Sequence, residues 1–367
     1  MGLKRTDEFR QDAARIALTS GLTRKQVASD LGVGLSTLNK RITASENPTT
    51  GMRDFAIKDN NARKLEGTLW YPASPDARVK RQHSNGVWVG VDVAKKGEPI
   101  EGTFPLVVLS HGMYGKARNQ NWLAHDLVQQ GYIAVTLNHP GTSTWLREVD
   151  DARQIWERPK DVSRTISYLL ESHDLGVQID PNRVYVAGHS LGGMTTVQLA
   201  GGRYAPEQID EICKSDPSEL ICELTEMWQL GQTQQDREAM SQDLRDPRIK
   251  AVAVLDLGGT QTFSPESLAA ITTPMLVIGA PKDVQESLDL DRESRKLVSM
   301  LPEETTTYME PASLSHFDFL GTCTEKAIPI LEDEVPGDGY ICFDGTQERT
   351  EDHAIVSSAL IDFFAKH

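Results

Sequence analysis

The stretch "RVYVAGHSLGGMTTVQLAGG", residues 183–202, places one serine between glycines where a strand pattern changes into a helix pattern. Residues 183–187 have strand character, and a small, helix-compatible segment directly follows the run Gly188-His189-Ser190-Leu191-Gly192. A turn this sharp is crowded, so the positions two before and two after the serine must be nearly without side chains. We therefore expect the Ser190 hydroxyl to project above a sheet, at the N-terminus of a helix.

A lone serine is a weak nucleophile, so this interpretation requires a base, an acid and donors for an oxyanion elsewhere in the chain. A G-x-S-x-G between a strand and a helix is typical of the nucleophile elbow of α/β-hydrolases, in which the acid and then the histidine follow the serine. His316, His353 and His367 follow Ser190. We predict His316 as the base, because it lies in a Pro/Ser loop after a short strand, whereas His353 lies in a closing helical pattern and His367 is the last residue.

Two aspartates compete for the role of the acid that orients His316. Asp256 ends the apolar run "IKAVAVLD", and Asp283 ends "PMLVIGAPKD". In open α/β sheets the loops beyond the carboxyl ends of the strands build the site, so either carboxylate could reach His316. We favour Asp283, because the loop after the second strand past the elbow usually holds this acid, and we keep Asp256 as the alternative.

The oxyanion hole requires two backbone N–H groups, one from the residue after the nucleophile and one from a loop after an earlier strand. The strand pattern "PLVVLS" leads into His111-Gly112-Met113. We therefore predict the N–H groups of Met113 and Leu191 as the oxyanion donors, with Gly112 permitting a close approach of the backbone.

Several side chains near these segments are candidates for the wall of the pocket. We predict Tyr114, His189 and His139 as substrate-binding residues. His111 and His189 are expected to fill the wall without taking part in proton transfer.

The same residues carry a resemblance to a known family. The stretches "TLWYPA", "FPLVVLSHG", "GYIAVTLNHPG", "WERPKDVS", "DPNRVYVAGHSLGG", "TPMLVIGAPKD" and "SHFDF" are spread over most of residues 52–367. Together they resemble the dienelactone hydrolase-like esterases related to platelet-activating-factor acetylhydrolase, with a more distant similarity to cutinase-type polyester hydrolases. The resemblance implies a serine hydrolase of small carboxylic esters without metal or cofactor, and in the acetylhydrolase branch the acid would correspond to Asp256. Acyl length, a preference for esters or amides, and the oligomeric state stay open.

The alternation of strand and helix patterns predicts a mostly parallel sheet covered on both faces, the α/β-hydrolase fold. We predict strands near 64–71, 105–110, 132–137, 183–187, 249–255, 274–279 and 304–309. Residues 203–247 interrupt this rhythm with a polar, mostly helical insertion, in which 206–246 hold eleven Asp/Glu and three Lys/Arg. The insertion is either a partial lid, with Met227, Trp228 and Leu230 as its apolar face, or a solvated elaboration of the surface.

Charge separates a short N-terminal segment from the rest. The chain carries a net charge of −15, yet residues 1–50 hold eight Lys/Arg and five Asp/Glu. We divide the chain into a helix-turn-helix-like segment at 1–47, a linker at 48–56 and the hydrolase domain at 57–367. The first segment resembles the DNA-binding part of insertion-sequence transposases, although Arg41 stands where that family usually has tryptophan.

This resemblance suggests that the N-terminal segment is a fusion passenger. The alternative is a DNA-binding regulator whose hydrolase-like domain senses a ligand. Because so short and weakly positive a segment makes a poor monomeric DNA binder, we do not expect a nucleic-acid partner. The net charge also argues against an anionic membrane as a partner, and the sequence has no run of 18 apolar residues that could span one.

The four cysteines form two local pairs, Cys213 with Cys222 and Cys323 with Cys342. Because none has a histidine at metal-ligand spacing, we expect no zinc site. Such pairs suggest disulfides, which persist in oxidising compartments. The first residues lack the apolar core of a secretory signal, so we expect a cytoplasmic chain whose exported ancestor lost its signal to the inserted segment.

Overall fold

The strand patterns of the sequence assemble into one sheet. The computed structural model describes residues 9, 12–14, 16–17, 22–38, 48–57, 59, 61–172, 175–282 and 288–367. Within them ten strands form the sheet: β1 (Thr49–Ala56), β2 (Glu66–Ala73), β3 (Lys80–Gln82), β4 (Val91–Lys95), β5 (Thr103–Ser110), β6 (Ile133–Asn138), β7 (Gln178–His189), β8 (Ile249–Leu255), β9 (Met275–Ile278) and β10 (Thr306–Met309).

The strand order brings the predicted site residues to one edge of this sheet. The order is β3-β4-β1-β2-β6-β5-β7-β8-β9-β10. The neighbours from β6 through β10 are parallel, and β2 runs antiparallel to both β1 and β6. The carboxyl ends of β5, β7 and β8 therefore open at the same edge, where His111, Ser190 and Asp256 follow them.

Helices cover both faces of the sheet. Those described are α1 (Arg24–Asp30), α2 (Asn121–Gln129), α3 (Val149–Arg153), α4 (Glu157–Glu171), α5 (Leu191–Ala200), α6 (Pro206–Ser215), α7 (Leu220–Met227), α8 (Gln234–Met240), α9 (Pro265–Ala269), α10 (Ser294–Met300), α11 (Ala327–Glu334) and α12 (Gly345–Phe364). Short 3₁₀ turns include His316–Phe319.

The central strands are buried on both faces. Val186 of β7 packs in one apolar layer with Ile166 of α4 and Val197 of α5. Its neighbour Tyr185 points the other way, into a layer with Leu127 of α2 and with α12. This two-sided burial explains why β5, β7 and β8 read as continuous apolar runs rather than as alternating patterns.

Residues 49–56 of the segment predicted as a linker form strand β1. All eight of its residues pair with β2, from Thr49 opposite Ala73 to Ala56 opposite Glu66. Met52 is buried, and a Cβ on Gly51 would lie 2.4 Å from the Tyr71 ring. Gly51 therefore marks a close approach between two strands.

The N-terminal segment is partly described. Helix α1 begins after Thr23, whose hydroxyl accepts from the Gln26 amide in a capping box. Residues 35–38 are also helical, and Val27, Val33 and Leu38 pack in a small apolar cluster with Ala13 and Ala14. The interpretation of this segment as a fusion passenger stays a prediction, with DNA binding as its alternative.

The two cysteine pairs are brought together as disulfides. The disulfide between Cys213 and Cys222 joins α6 to α7 within the insertion. A second disulfide, between Cys323 and Cys342, lies shortly before α12. Disulfides are compatible with an exported protein and do not support the cytoplasmic localisation expected from the sequence. None of the helices in the described ranges has the length and apolarity needed to cross a bilayer.

The position of β1 leads to a prediction about N-terminal truncation. A chain beginning at Pro48 keeps β1, and we expect a melting midpoint within a few degrees of full length and an unchanged kcat/KM. A chain beginning at Ile57 loses the buried side chains Met52 and Phe55. Burial of such side chains contributes about 2 kcal/mol each, so we expect that chain to melt roughly 10 °C lower. Thermal melts of the two truncations test this, and a large loss from the Pro48 chain would show that residues 1–47 support the hydrolase domain.

Candidate active site

Ser190 occupies the sharp turn between β7 and α5. Its backbone has φ 56° and ψ −120°, a conformation rare for any residue other than glycine. A Cβ on Gly188 would lie 2.0 Å from the Gly192 carbonyl oxygen, and one on Gly192 would lie 2.0 Å from that of Ser110. Both glycines are therefore required by contact with backbone, which agrees with the crowding expected from the sequence.

The side chains of His316 and Asp256 are arranged as a catalytic base and the acid that orients it. The Nδ1 of His316 lies 2.7 Å from Oδ2 of Asp256, and the two side chains are 12% and 7% exposed. Oδ1 of Asp256 accepts a second hydrogen bond, from the Ala280 amide at 2.9 Å. Because the carboxylate holds Nδ1 as the N–H, Nε2 of His316 is left as the basic nitrogen.

The turn that carries His316 is anchored to the C-terminal helix. Asp318, within the same 3₁₀ turn, accepts from the Ser315 amide at 2.7 Å and from the Arg349 side chain at 3.0 Å. Asp318 and Arg349 are fully buried. This ion pair fixes the turn against α12 and so holds the imidazole in place.

The favoured acid, Asp283, lies outside the described residues. Its neighbour Lys282 donates its amide to the Leu314 carbonyl at 3.0 Å, two residues before His316. The described side-chain hydrogen bond of His316 goes to the alternative acid, Asp256, whose carboxylate accepts it. The assignment of Asp283 therefore stays a prediction, and the geometry supports Asp256.

The predicted oxyanion loop lies directly against the serine. A Cβ on Gly112 would be 3.1 Å from the Cβ of Ser190, so only glycine allows this approach without displacement. Leu191 is the first residue of α5, and the first amides of a helix have no intrahelical acceptor. The amides of Met113 and Leu191 therefore belong to the two segments that flank Ser190.

A second Ser–His–Asp arrangement lies beneath this loop. Ser110 Oγ is 3.0 Å from His139 Nε2, and His139 Nδ1 is 3.0 Å from Asp161 Oδ2. All three residues are 0% exposed. A side chain without accessible surface offers no contact to a substrate, so the geometry does not support the prediction of His139 as a substrate-binding residue. His139 directly follows β6, and its ring lies inside the protein.

His189 supports the turn of His316. Its Nε2 donates to the His316 carbonyl at 2.8 Å, and the two rings are 4.6 Å apart. Burial holds the pKa of His189 well below its usual range, and the nearby His316 lowers it further. The ring is therefore neutral. This agrees with a wall residue that takes no part in proton transfer, and its 3% exposure leaves little surface for a substrate.

Tyr114, directly after Met113, contacts the insertion. Its hydroxyl accepts from the indole N–H of Trp228 at 2.9 Å and lies 3.2 Å from the Met227 sulfur. The Arg147 guanidinium lies 4.3 Å from the centroid of the Tyr114 ring. Met113 and Met227 are 37% and 43% exposed. The insertion therefore reaches the oxyanion loop, which favours the partial-lid interpretation over a separate surface elaboration.

The described residues offer no obvious metal site. Among them, no three His, Cys, Asp or Glu side chains are grouped as metal ligands. The four cysteines are taken up by the two disulfides.

Comparison with known proteins places these features in context. No protein-family model matches the chain. Cutinase est2 of Thermobifida alba is 24% identical over 218 residues, which are 59% of this chain and 53% of the relative. A bis(hydroxyethyl) terephthalate hydrolase of Streptomyces coelicolor is 30% identical over 103 residues, which are 28% of this chain and 30% of the relative.

A solved structure matches over a larger part of the chain. The ferulic acid esterase of Streptomyces cinnamoneus superposes with a TM-score of 0.56 at 18% identity, covering 88% of this chain and 90% of that one. The chain has the α/β-hydrolase fold. The matched segments span about half or less of the length of the curated relatives named here. The narrower resemblances to dienelactone hydrolase-like esterases and to transposases stay predictions.

Proposed function

We propose that the chain is a serine hydrolase that cleaves carboxylic esters through an acyl-enzyme on Ser190. The observation that carries the proposal is the hydrogen bond of 2.7 Å between His316 and Asp256, formed at the sheet edge that also presents the strained Ser190. The names of the relatives, all ester hydrolases, support the same reaction class.

The proposed reaction has two acyl-transfer steps. Nε2 of His316 takes the proton from Ser190 as Oγ attacks the ester carbonyl, and Asp256 stabilises the imidazolium that forms. The amides of Met113 and Leu191 donate to the carbonyl oxygen as it becomes negative. His316 then gives its proton to the leaving alcohol, and water repeats the cycle on the acyl-enzyme.

We further propose that the acyl group is apolar or aromatic. Three apolar side chains near the oxyanion loop are exposed: Met113 in the loop itself, Met227 in contact with Tyr114, and Trp145, which is 83% exposed and follows Thr144, whose amide donates to the Gly115 carbonyl at 2.8 Å. Two of the relatives are named for esters of aromatic acids, terephthalic and ferulic acid. Apolar surface next to a few convergent polar groups is typical of a ligand site.

A panel of substrates tests the proposal. We expect turnover of p-nitrophenyl esters and of bis(hydroxyethyl) terephthalate, with kcat/KM higher for aromatic than for acetyl groups. Because the same three residues can hydrolyse both esters and amides, the matching p-nitroanilides are included to compare the two bond types directly. A folded protein that hydrolyses none of these compounds would contradict the proposal, and faster cleavage of anilides would assign the site to amides instead.

A further inference from the structure

The oxyanion loop is held through its carbonyl groups. The Gly112 carbonyl accepts from His111 Nδ1 at 2.7 Å and from the Gly115 amide at 3.1 Å. In a planar trans peptide the C=O and the following N–H point in opposite directions. Holding the Gly112 carbonyl on one side therefore fixes the Met113 amide on the other side.

The surroundings of His111 allow it one protonation state. A carbonyl can only accept, so Nδ1 must carry the proton that it donates to Gly112. Nε2 lies 3.0 Å from the Ser143 hydroxyl oxygen and accepts from the His139 amide at 3.2 Å, and because an amide N–H can only donate, Nε2 must be unprotonated. His111 is buried, and burial followed by the nearby Arg158 holds its pKa well below its usual range. The ring is therefore a neutral donor with a fixed direction.

Arg158 supports the same loop from below. Its guanidinium, 1% exposed, donates to the His111 carbonyl and to Ser110 Oγ, the latter at 3.2 Å. Further bonds join it to the hydroxyls of Thr142 at 2.6 Å and Thr195 at 2.9 Å. These four acceptors are uncharged, so the cation lies beneath the loop without a hydrogen-bonded carboxylate among them.

The carboxylate of Asp161 is engaged elsewhere. Asp161, one turn along α4 from Arg158, pairs with Arg63 at 2.9 and 3.0 Å and with His139 at 3.0 Å. Burial lowers the pKa of Arg158 to about 9. Because this pKa is still above neutral pH, the guanidinium stays charged. Burying a cation without a hydrogen-bonded carboxylate costs desolvation free energy. Such unfavourable features are expected at functional sites.

We propose that Arg158 and His111 are positioning residues of the oxyanion hole. Arg158 holds the His111 carbonyl, His111 holds the Gly112 carbonyl, and together they aim the Met113 amide at the substrate oxygen. The positive charge of Arg158 also favours the negative charge that develops there. The inference rests on the proposed acyl-enzyme mechanism and goes beyond it, because neither side chain touches the substrate.

The test compares His111→Phe and Arg158→Met with a matched control, Ile166→Ala. Phenylalanine keeps a ring in the buried site but cannot donate to Gly112. Ile166 is fully buried in the same helix as Arg158 and lies away from the loop in sequence, so its truncation destabilises the helix by packing alone. Arg158→Lys keeps the charge and loses the planar fork, so it serves as the conservative variant.

The readouts are kcat, KM and the affinity for phenylboronic acid, which forms a tetrahedral adduct with a serine hydroxyl. For His111→Phe and Arg158→Met we expect kcat to fall by about 10²-fold with KM within threefold, the size of losing one oxyanion donor. The affinity for the boronic acid should fall in parallel. Arg158→Lys should recover part of the loss, and Ile166→Ala should lower only the melting midpoint.

The opposite results would overturn the inference. If the His111 and Arg158 variants lose stability while kcat and boronic acid affinity stay within threefold of wild type, the cluster only stabilises the fold. If Arg158→Met does not fold, His111→Phe and the milder Thr142→Val decide by the same readouts. Failure of the proposed function would give a different result. Ser190→Ala would then remain active, while the His111 and Arg158 variants fold normally.

Discussion

Replacing Ser190 by alanine is expected to lower kcat by about 10⁶-fold, the loss seen when the nucleophile of a serine hydrolase is removed. The fold should survive, because alanine keeps the Cβ and the turn already has φ 56° with serine. The His316–Asp256 hydrogen bond does not involve Ser190 and should remain. The measurement is turnover of a p-nitrophenyl ester, followed by mass spectrometry of the protein after reaction with a fluorophosphonate.

The buried arrangement of Ser110, His139 and Asp161 provides a matched comparison for this variant. Because Ser110 is 0% exposed, we expect the fluorophosphonate to modify Ser190 alone, in wild type and in Ser110→Ala. We expect Ser110→Ala to react more slowly than wild type, since Ser110 accepts from Arg158. A modified peptide containing Ser110, or turnover by Ser190→Ala above about one-thousandth of wild type, would show that the nucleophile is misassigned.

The features that could be predicted from the sequence depend on local contacts. The elbow requires small residues two positions before and two positions after Ser190, and the clashes at Gly188 and Gly192 are with backbone of the same turn and the adjacent strand. The parallel strands could be located because burial on both faces leaves long apolar runs. His316 could be selected because few histidines follow Ser190 in the chain.

The features that the sequence left open depend on distant contacts. Strand β1 pairs with β2 through backbone groups, and its small residues gave no apolar pattern. His139 lies near the site in the chain, but its environment is set by Asp161 in a later helix. The contact of Tyr114 with Trp228 joins residues 114 positions apart. No local pattern encodes such pairings.

The choice between the two aspartates is the sharpest example. Asp256 and Asp283 each end an apolar run in the sequence, so the hydrophobic pattern does not distinguish between them. Position in the fold favoured Asp283, and the acetylhydrolase resemblance favoured Asp256. The deciding quantity is the direction of one carboxylate, which depends on a positive φ of 44° at Asp256 and on the Ala280 amide of the neighbouring strand end.

Replacing Asp256 by asparagine is expected to lower kcat by about 10⁴-fold with little change in KM. The Ala280 amide donates to Oδ1 of Asp256, so the carboxamide oxygen must occupy that position. The carboxamide NH₂ then faces Nδ1 of His316, which is forced to accept. The proton of the imidazole moves to Nε2, and His316 can no longer take the proton from Ser190. The measurement is kcat and KM for a p-nitrophenyl ester.

The matched variant is Asp283→Asn, which removes the rival carboxylate by the same isosteric change. We expect it to keep kcat within tenfold of wild type, because the described partner of His316 is Asp256. A thermal melt of each variant separates lost chemistry from lost stability, since Asp256 also accepts the Ala280 amide that joins two strand ends. If Asp283→Asn is the crippling change and Asp256→Asn is mild, the acid of this site is Asp283, and Asp256 serves to hold the loop after β8.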